Sequence, residues 1–288
     1  MGRKTEQEAN GSEPNVTALE ARHLPGALAL SQEMGWPYRL EDWEFASAMG
    51  HGLVLERGAE VIGTAMWWTY GQTHACAGMI IVTAAEQGRG YGALLLDSLL
   101  QATEGRDVLL SATEEGLALY ERRGFMKVGP IVQHQGLFET AVPSDSSDGI
   151  RSAMPADLPL IHTFDRQATG LDRVPLVNAL AREGRLTLME RAGRIVGYVI
   201  TRRFGRGYVV GPVAAECGDD AKRLILSQLS TLHGKFVRID VHARHGLSDW
   251  LESLGLTRVS PVTAMVKGRQ PVPEGPASMF ALASQSFG

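Results

Sequence analysis

Cysteine is scarce in this chain: its 288 residues include only Cys76 and Cys217, far apart and without metal-ligand spacing. That excludes a disulfide framework and signals no zinc site, so the expectation is a reducing, cytoplasmic setting and no bound metal. Positive charge is not in excess either. Lys and Arg number 28 against 32 Asp and Glu, a net charge of −4. Nucleic acid or an anionic membrane calls for a basic face, so neither is expected as a partner. Long apolar runs are also missing, and none approaches the ~18 residues of a membrane span. Residues 1–13 lack the apolar stretch of a secretory signal and read as a disordered lead-in. What is there is 44% hydrophobic residues, ample for packed cores, in a length that favours two domains.

One stretch organises the rest. Met79 to Val82 is a short β-rich apolar run, and Gln87-Gly88-Arg89-Gly90-Tyr91-Gly92 is a glycine-rich turn. A helix follows with apolar positions Leu95, Leu96, Leu99 and Leu100. The first N–H groups of a helix have no partner within it and lie at the positive end of its dipole. Glycines let an anion approach them without a Cβ in the way. The stretch is therefore a candidate phosphate site.

Around it the first half reads strand, two helices, three strands, helix, strand, helix, strand. This order, with Gln87-x-x-Gly90-x-Gly92 opening the central helix and Tyr120 before Gly124-Phe125, resembles the GNAT acyltransferase superfamily. Thr113 stands where that family often has asparagine. The resemblance implies an α/β (α+β) fold with a mixed, mostly antiparallel central sheet flanked by helices. It implies acetyl-CoA as co-substrate, its pyrophosphate on the amides of Gln87, Gly88, Arg89, Gly90, Tyr91 and Gly92. Its pantetheine arm is then expected along the backbone of Ile81 and Val82, with Thr113 nearby.

The chemistry would be attack of an amine, expected to be a small molecule, on the thioester. A tyrosine is protonated at neutral pH and can supply a proton to the departing thiolate, which gives Tyr120 the role of general acid. A base is harder to name. Several family members carry a glutamate where this chain has Cys76, and His74, on the same face of that strand, is the candidate base. Glu33, Glu41 and Asp42 are further carboxylates on the substrate side. Trp36 and Trp67 are candidate substrate-binding residues. Trp67 and Trp68 are adjacent in a strand and point to opposite faces, so one is expected in the core and the other on a pocket floor.

Gly88-x-Gly90-x-x-Ala93 also fits a dinucleotide fingerprint, with Glu114 as ribose acid. An NAD(P)-binding oxidoreductase is thus a rival reading, as is an acyl-CoA sensor that makes no use of Tyr120. Against the dinucleotide stand the four residues Thr83 to Glu86 between strand and turn and the absence of an upstream βαβ pattern.

After a polar linker at 144–149 the pattern starts again. Leu53 to Gly63 matches Leu186 to Gly197, and Trp250 to Leu256 matches Leu119 to Phe125. The expectation is an N-terminal acyltransferase domain at 14–143 and a degenerate GNAT-like domain at 150–288. In the second, Asp219 and Asp220 stand where an anion should sit and Leu251 takes the place of the tyrosine. Asp165, Asp172, Arg173, His242, Arg244 and His245 are its candidate contributions to a shared cleft. Oligomeric state is not written in the sequence.

Overall fold

The computed structural model describes residues 13–142, 148–259 and 261–288. The lead-in up to residue 12 and linker residues 144–147 lie outside the described residues.

The first half runs β1 (Asn15–Ala18), α1 (Leu24–Glu33), α2 (Leu40–Met49), β2 (His51–Arg57), β3 (Glu60–Tyr70), β4 (His74–Val82), α3 (Tyr91–Ala102), β5 (Asp107–Ala112), α4 (Glu114–Glu121) and β6 (Met126–Phe138). The second half repeats the order: β7 (Ile150–Ser152), α5 (Leu158–Thr169), α6 (Val174–Glu183), β8 (Arg185–Arg191), β9 (Arg194–Phe204), β10 (Gly207–Ala215), α7 (Gly218–Leu229), β11 (Lys235–His242), α8 (Ser248–Ser253) and β12 (Thr257–Arg258). Two strands close the chain, β13 (Val262–Lys267) and β14 (Ser278–Ala281). Among the described residues no helix is long and apolar enough to cross a membrane.

All strands join one continuous sheet in the order β1-β2-β3-β4-β5-β13-β6-β11-β14-β10-β9-β8-β7, with β12 on β6. Neighbours are antiparallel except β4–β5 and β10–β11. A doubly wound parallel sheet, which a dinucleotide fold needs, is therefore not what this chain builds. The sheet order also departs from the chain order. β13, from the last thirty residues, lies between β5 and β6, pairing Thr263 with Ala112 and Val262 with Ile131. The upper part of β6 in turn pairs along the whole of β11, from Phe138 with Lys235 to Ile131 with His242. Each half thus lends its sheet a strand that the other half's chain segment completes. β6 is one strand of 13 residues, long enough to serve both.

Three apolar cores follow. Leu95, Leu96 and Leu99 of α3 pack with Ala77, Leu110, Tyr120 and Met265 on the outer face of the first half-sheet. Leu224, Ile225 and Leu229 of α7 do the same for the second. Between them α1, α2, α5 and α6, both inner faces and residues 282–287 share one core. Because each half-sheet is covered on both faces, its strands are apolar on both sides. Trp67 and Trp68 are accordingly both buried, at 8% and 2% exposure, one in the outer core and one in the central core.

The strand exchange gives a test. A fragment ending at residue 142 leaves β5 without β13 and exposes the outer core that Met265 closes. Urea titration followed by circular dichroism is expected to show no cooperative transition for it, against one for the full chain. Met265→Ala in the full chain should cost roughly 2–5 kcal/mol, although residue 265 lies outside the first half's own segment.

Candidate functional site

The phosphate turn is shaped by two glycines at positive φ, Gly88 at +77° and Gly90 at +87°, with Gly90 forming the left-handed N-cap of α3. A Cβ added at either would meet nothing within 4 Å, so both face open space. Gln87, Gly88, Arg89 and Gly90 are exposed, while Tyr91 and Gly92 are half-buried in the first turn of α3. The Gln87 side chain donates to the Val82 carbonyl at 3.1 Å, tying the turn back to β4. Glu86 places a carboxylate beside this anion site, yet Arg57 binds it through two bonds of 2.8 and 3.1 Å. Arg57 holds the Glu86 carboxyl below its ordinary range. Arg89 approaches the same carboxylate at 3.4 Å. The negative charge is thus answered within the protein rather than presented to a ligand.

Upstream of the turn the sheet opens. β4 pairs with β5 from His74–Asp107 to Ala77–Leu110, and the pairing stops there although both strands continue. The cause is local. Met79 sits at φ +52° in a bulge against β3, and its carbonyl accepts from the Thr64 hydroxyl at 2.8 Å. Such a bulge turns a strand away from its neighbour. Ile81 and Val82 are past this fork, paired to β3 on one edge only. Polar backbone left open inside a sheet is a place to receive an extended ligand. Thr113 follows β5 directly and is the N-cap of α4. Tyr120, on α4, is buried edge-on to Phe125 in the outer core and is not among the residues lining the cavity on the inner face, and burial pushes its hydroxyl up to about 12.

The second half has the same fork and fills it. β10 pairs with β11 only at Tyr208–Val237 and Val209–Arg238. β14 then enters between them, pairing Ala281 with both Val213 and Val241. The Phe280 ring packs on His245 at 4.3 Å and close to Gly218, where the counterpart of the phosphate turn begins. Asp220, which the sequence places where an anion should sit, is buried and bonded to Arg191 at 2.6 Å. That repeats the Arg57–Glu86 pair without the open turn beside it.

On the inner face of the first fork lies a cavity of about 360 Å³. Cys76, Leu109 and Ser111 line it from β4 and β5, with Tyr70 beside them and Ile131 and Ala264 from the exchanged strands. The second half supplies Arg173, His242 and Arg244, and the segment at Gln270–Pro273 lies across it. Gly288 forms part of one wall, and the residues before it hold it in place. Phe287 packs on Trp68 at 4.7 Å, Ser286 abuts Gly78, and Tyr70 and Arg173 donate to the carbonyls of Phe287 and Gly288.

Several expected site residues lie elsewhere. His74 is at the far end of β4, about 16 Å along the strand from Met79. Its ring meets Thr73 at 2.9 Å and Asp107 at 3.9 Å, and it does not line the cavity. Trp67 faces the outer core and stacks on His51, and Trp36 packs beside Tyr38 in the loop between α1 and α2. Neither forms a pocket floor. Glu33 accepts from the Thr83 hydroxyl and the Ala84 amide, Asp42 is held by Arg39, and neither lines the cavity. Asp165 is spent on Arg173, with bonds of 2.6 and 3.1 Å. Tyr70, Ser111 and Gly288 carry no motif and become visible as cavity residues only when the strands are assembled.

The chain matches two family models, both for an acetyltransferase (GNAT) domain, one over residues 48–127 and one over residues 161–281. It is 24% identical over 277 residues to YitH, an uncharacterized N-acetyltransferase of Bacillus subtilis, covering 94% of this chain and 97% of that one. It is 26% identical over 206 residues to a holothin acyltransferase of a Pseudoalteromonas species, covering 70% and 69%. Among solved structures, a Pyrococcus horikoshii protein superposes with a TM-score of 0.81 at 18% identity over all of both chains. A tandem GNAT protein from the clavulanic acid biosynthesis pathway gives 0.62 at 13% identity, covering 91% of this chain and 100% of that one. With both halves matched, the sensor and oxidoreductase readings give way to an acyltransferase. The chain belongs to the GNAT acetyltransferase family, as a tandem of two such domains.

Proposed function

We propose that the chain has one working site, in its first half, and that it transfers the acetyl group of acetyl-CoA to the amine of a small molecule by direct attack on the thioester. The observation that carries this reading is the fork between β4 and β5, which no strand enters among the described residues and which opens on the inner cavity. The corresponding fork of the second half is closed by β14.

In this reading the amides of residues 87–92 hold the pyrophosphate at the head of α3, where Gly88 and Gly90 leave the approach open. The free edge at Ile81 and Val82 aligns the pantetheine arm, and Thr113 borders the opposite strand. Acetyl-CoA brings an activated carbonyl and a thiolate leaving group. Tyr120, protonated throughout the neutral range, gives that sulfur its proton.

Among the described residues no Asp or Glu lines the cavity. Burial pushes the Cys76 thiol up to about 12, so it is neither base nor nucleophile at neutral pH. His242 is driven down to about 3 by burial and by the Arg244, His245 and Arg173 charges, which makes it a feeble base. The amine is therefore expected to arrive already deprotonated.

Three measurements test this. Thiol release from acetyl-CoA across an amine panel should fall about 10²–10⁴-fold in kcat for Tyr120→Phe, with KM for acetyl-CoA little changed. Binding without turnover on any amine would sink the reading. For an alkylamine acceptor of pKa about 10, kcat/KM should climb roughly tenfold per pH unit between pH 6 and 9, following the free amine. A plateau reached near pH 7 would instead reveal an enzymic base. Calorimetric titration should give one coenzyme A per chain and none for Gly90→Glu, whereas two per chain would mean that β14 does not close the second slot.

A further inference from the structure

We infer that the acceptor is an apolar amine carrying a carboxylate several bonds from its nitrogen, and that Arg244 is the residue that selects it. This rests on the acetyl-transfer reading of the same cavity.

Among the described residues the lining of this cavity contains two arginines and no Asp or Glu. Arg173 is matched, since Asp165 binds it through two bonds and the Gly288 carbonyl takes a third. Arg244 is not. Among the described residues its side chain has no carboxylate partner, and its one hydrogen bond runs from Nε to His245 Nε2 at 3.3 Å. Arg244 is an exposed residue that lines the cavity. A guanidinium presents paired donors that fit a carboxylate through two parallel bonds. With His242 neutral beside it, the wall offers one positive charge, which suits a monoanion rather than a phosphate ester.

The strand register gives the distance. Ser111, at the fork, is paired to Ala264, which is paired to Gly129 on β6. His242 is opposite Ile131 on the far edge of β6, and Arg244 follows it. From fork to Arg244 is thus three strand spacings, about 14 Å between backbones. Side chains narrow that gap, yet an α-amino acid, with nitrogen and carboxylate on one carbon, does not bridge it. Much of the lining is apolar, with Leu109, Val128, Ile131, Ala264, Met279 and Leu282, beside the polar Thr169, Gln270 and Ser278. An ω-amino acid or a short apolar peptide has the matching order of amine, apolar body and carboxylate. Burial of that body supplies affinity, and the Arg244 contact supplies the choice between acid and neutral analogue.

The test uses matched acceptors that differ only in the charge: ε-aminocaproate against hexylamine, and an apolar dipeptide against its C-terminal amide. In the unaltered protein the carboxylate member of each pair should have the higher kcat/KM by about ten- to a hundredfold. Arg244→Gln should erase the difference through KM and leave hexylamine unaffected, and Arg244→Lys should restore part of it. Hexanoate, which has the carboxylate but cannot be acetylated, should raise the Tm of the coenzyme A-loaded protein and not that of Arg244→Gln. If amines are acetylated but the pairs are equal, or if Arg244→Gln slows both members alike, the inference is overturned and the acetyl-transfer reading survives. If no acceptor turns over while hexanoate still protects through Arg244, the transfer reading fails and the anion site stands.

Discussion

A sheet whose strands diverge must do something with the backbone groups it uncovers, because N–H and C=O groups left without partners away from water are costly. This chain meets that constraint twice and answers it in opposite ways. In the first half the bulge at Met79 parts β4 from β5 beside a turn shaped by Gly88 and Gly90. In the second half β14 pairs with both β10 and β11, and Phe280 covers the start of α7. A ligand site and a structural joint are here two solutions to one backbone problem. In the proposed reading, which half does chemistry follows from what occupies the gap.

The rest of the site follows from how the halves are joined. Since β13 sits between β5 and β6, and β6 continues along β11, the wall of the cavity is assembled from both ends of the chain. Cys76 and Ser111 face Arg173, His242 and Arg244 across it. The buried Asp165–Arg173 pair fixes the second half's side of that wall, and removing either partner would strand a charge away from water. In the proposed reading the second half thus contributes to the site without having one of its own.

Much of this was legible in the sequence because it depends on local pattern. The order of elements, the repeat and the glycine turn that opens α3 each follow from residues close together in the chain. Tyr120 beside Gly124-Phe125 was legible for the same reason. What was not legible depends on covering layers and distant pairings. Trp67 is buried because α3 covers its face, and period-two reasoning names the two faces of a strand without saying whether both are covered. His74 shares a face with Cys76 but lies at the wrong end of β4, a matter of position along the strand rather than of face. The pairing of β13 with β5 joins residues about 150 apart, and no local signal encodes it.

The shared strands also bear on how such a chain can change. A half that performs no chemistry would ordinarily be free to drift or to be discarded. Here it cannot be, because Met265 and its neighbours complete the core behind the phosphate turn. Loss of the second half would remove an inner strand from the first, so selection for folding alone preserves it. Its fork, filled by β14, has no ligand to hold in the proposed reading, and the acidic pair Asp219 and Asp220 at the start of α7 is compatible with that.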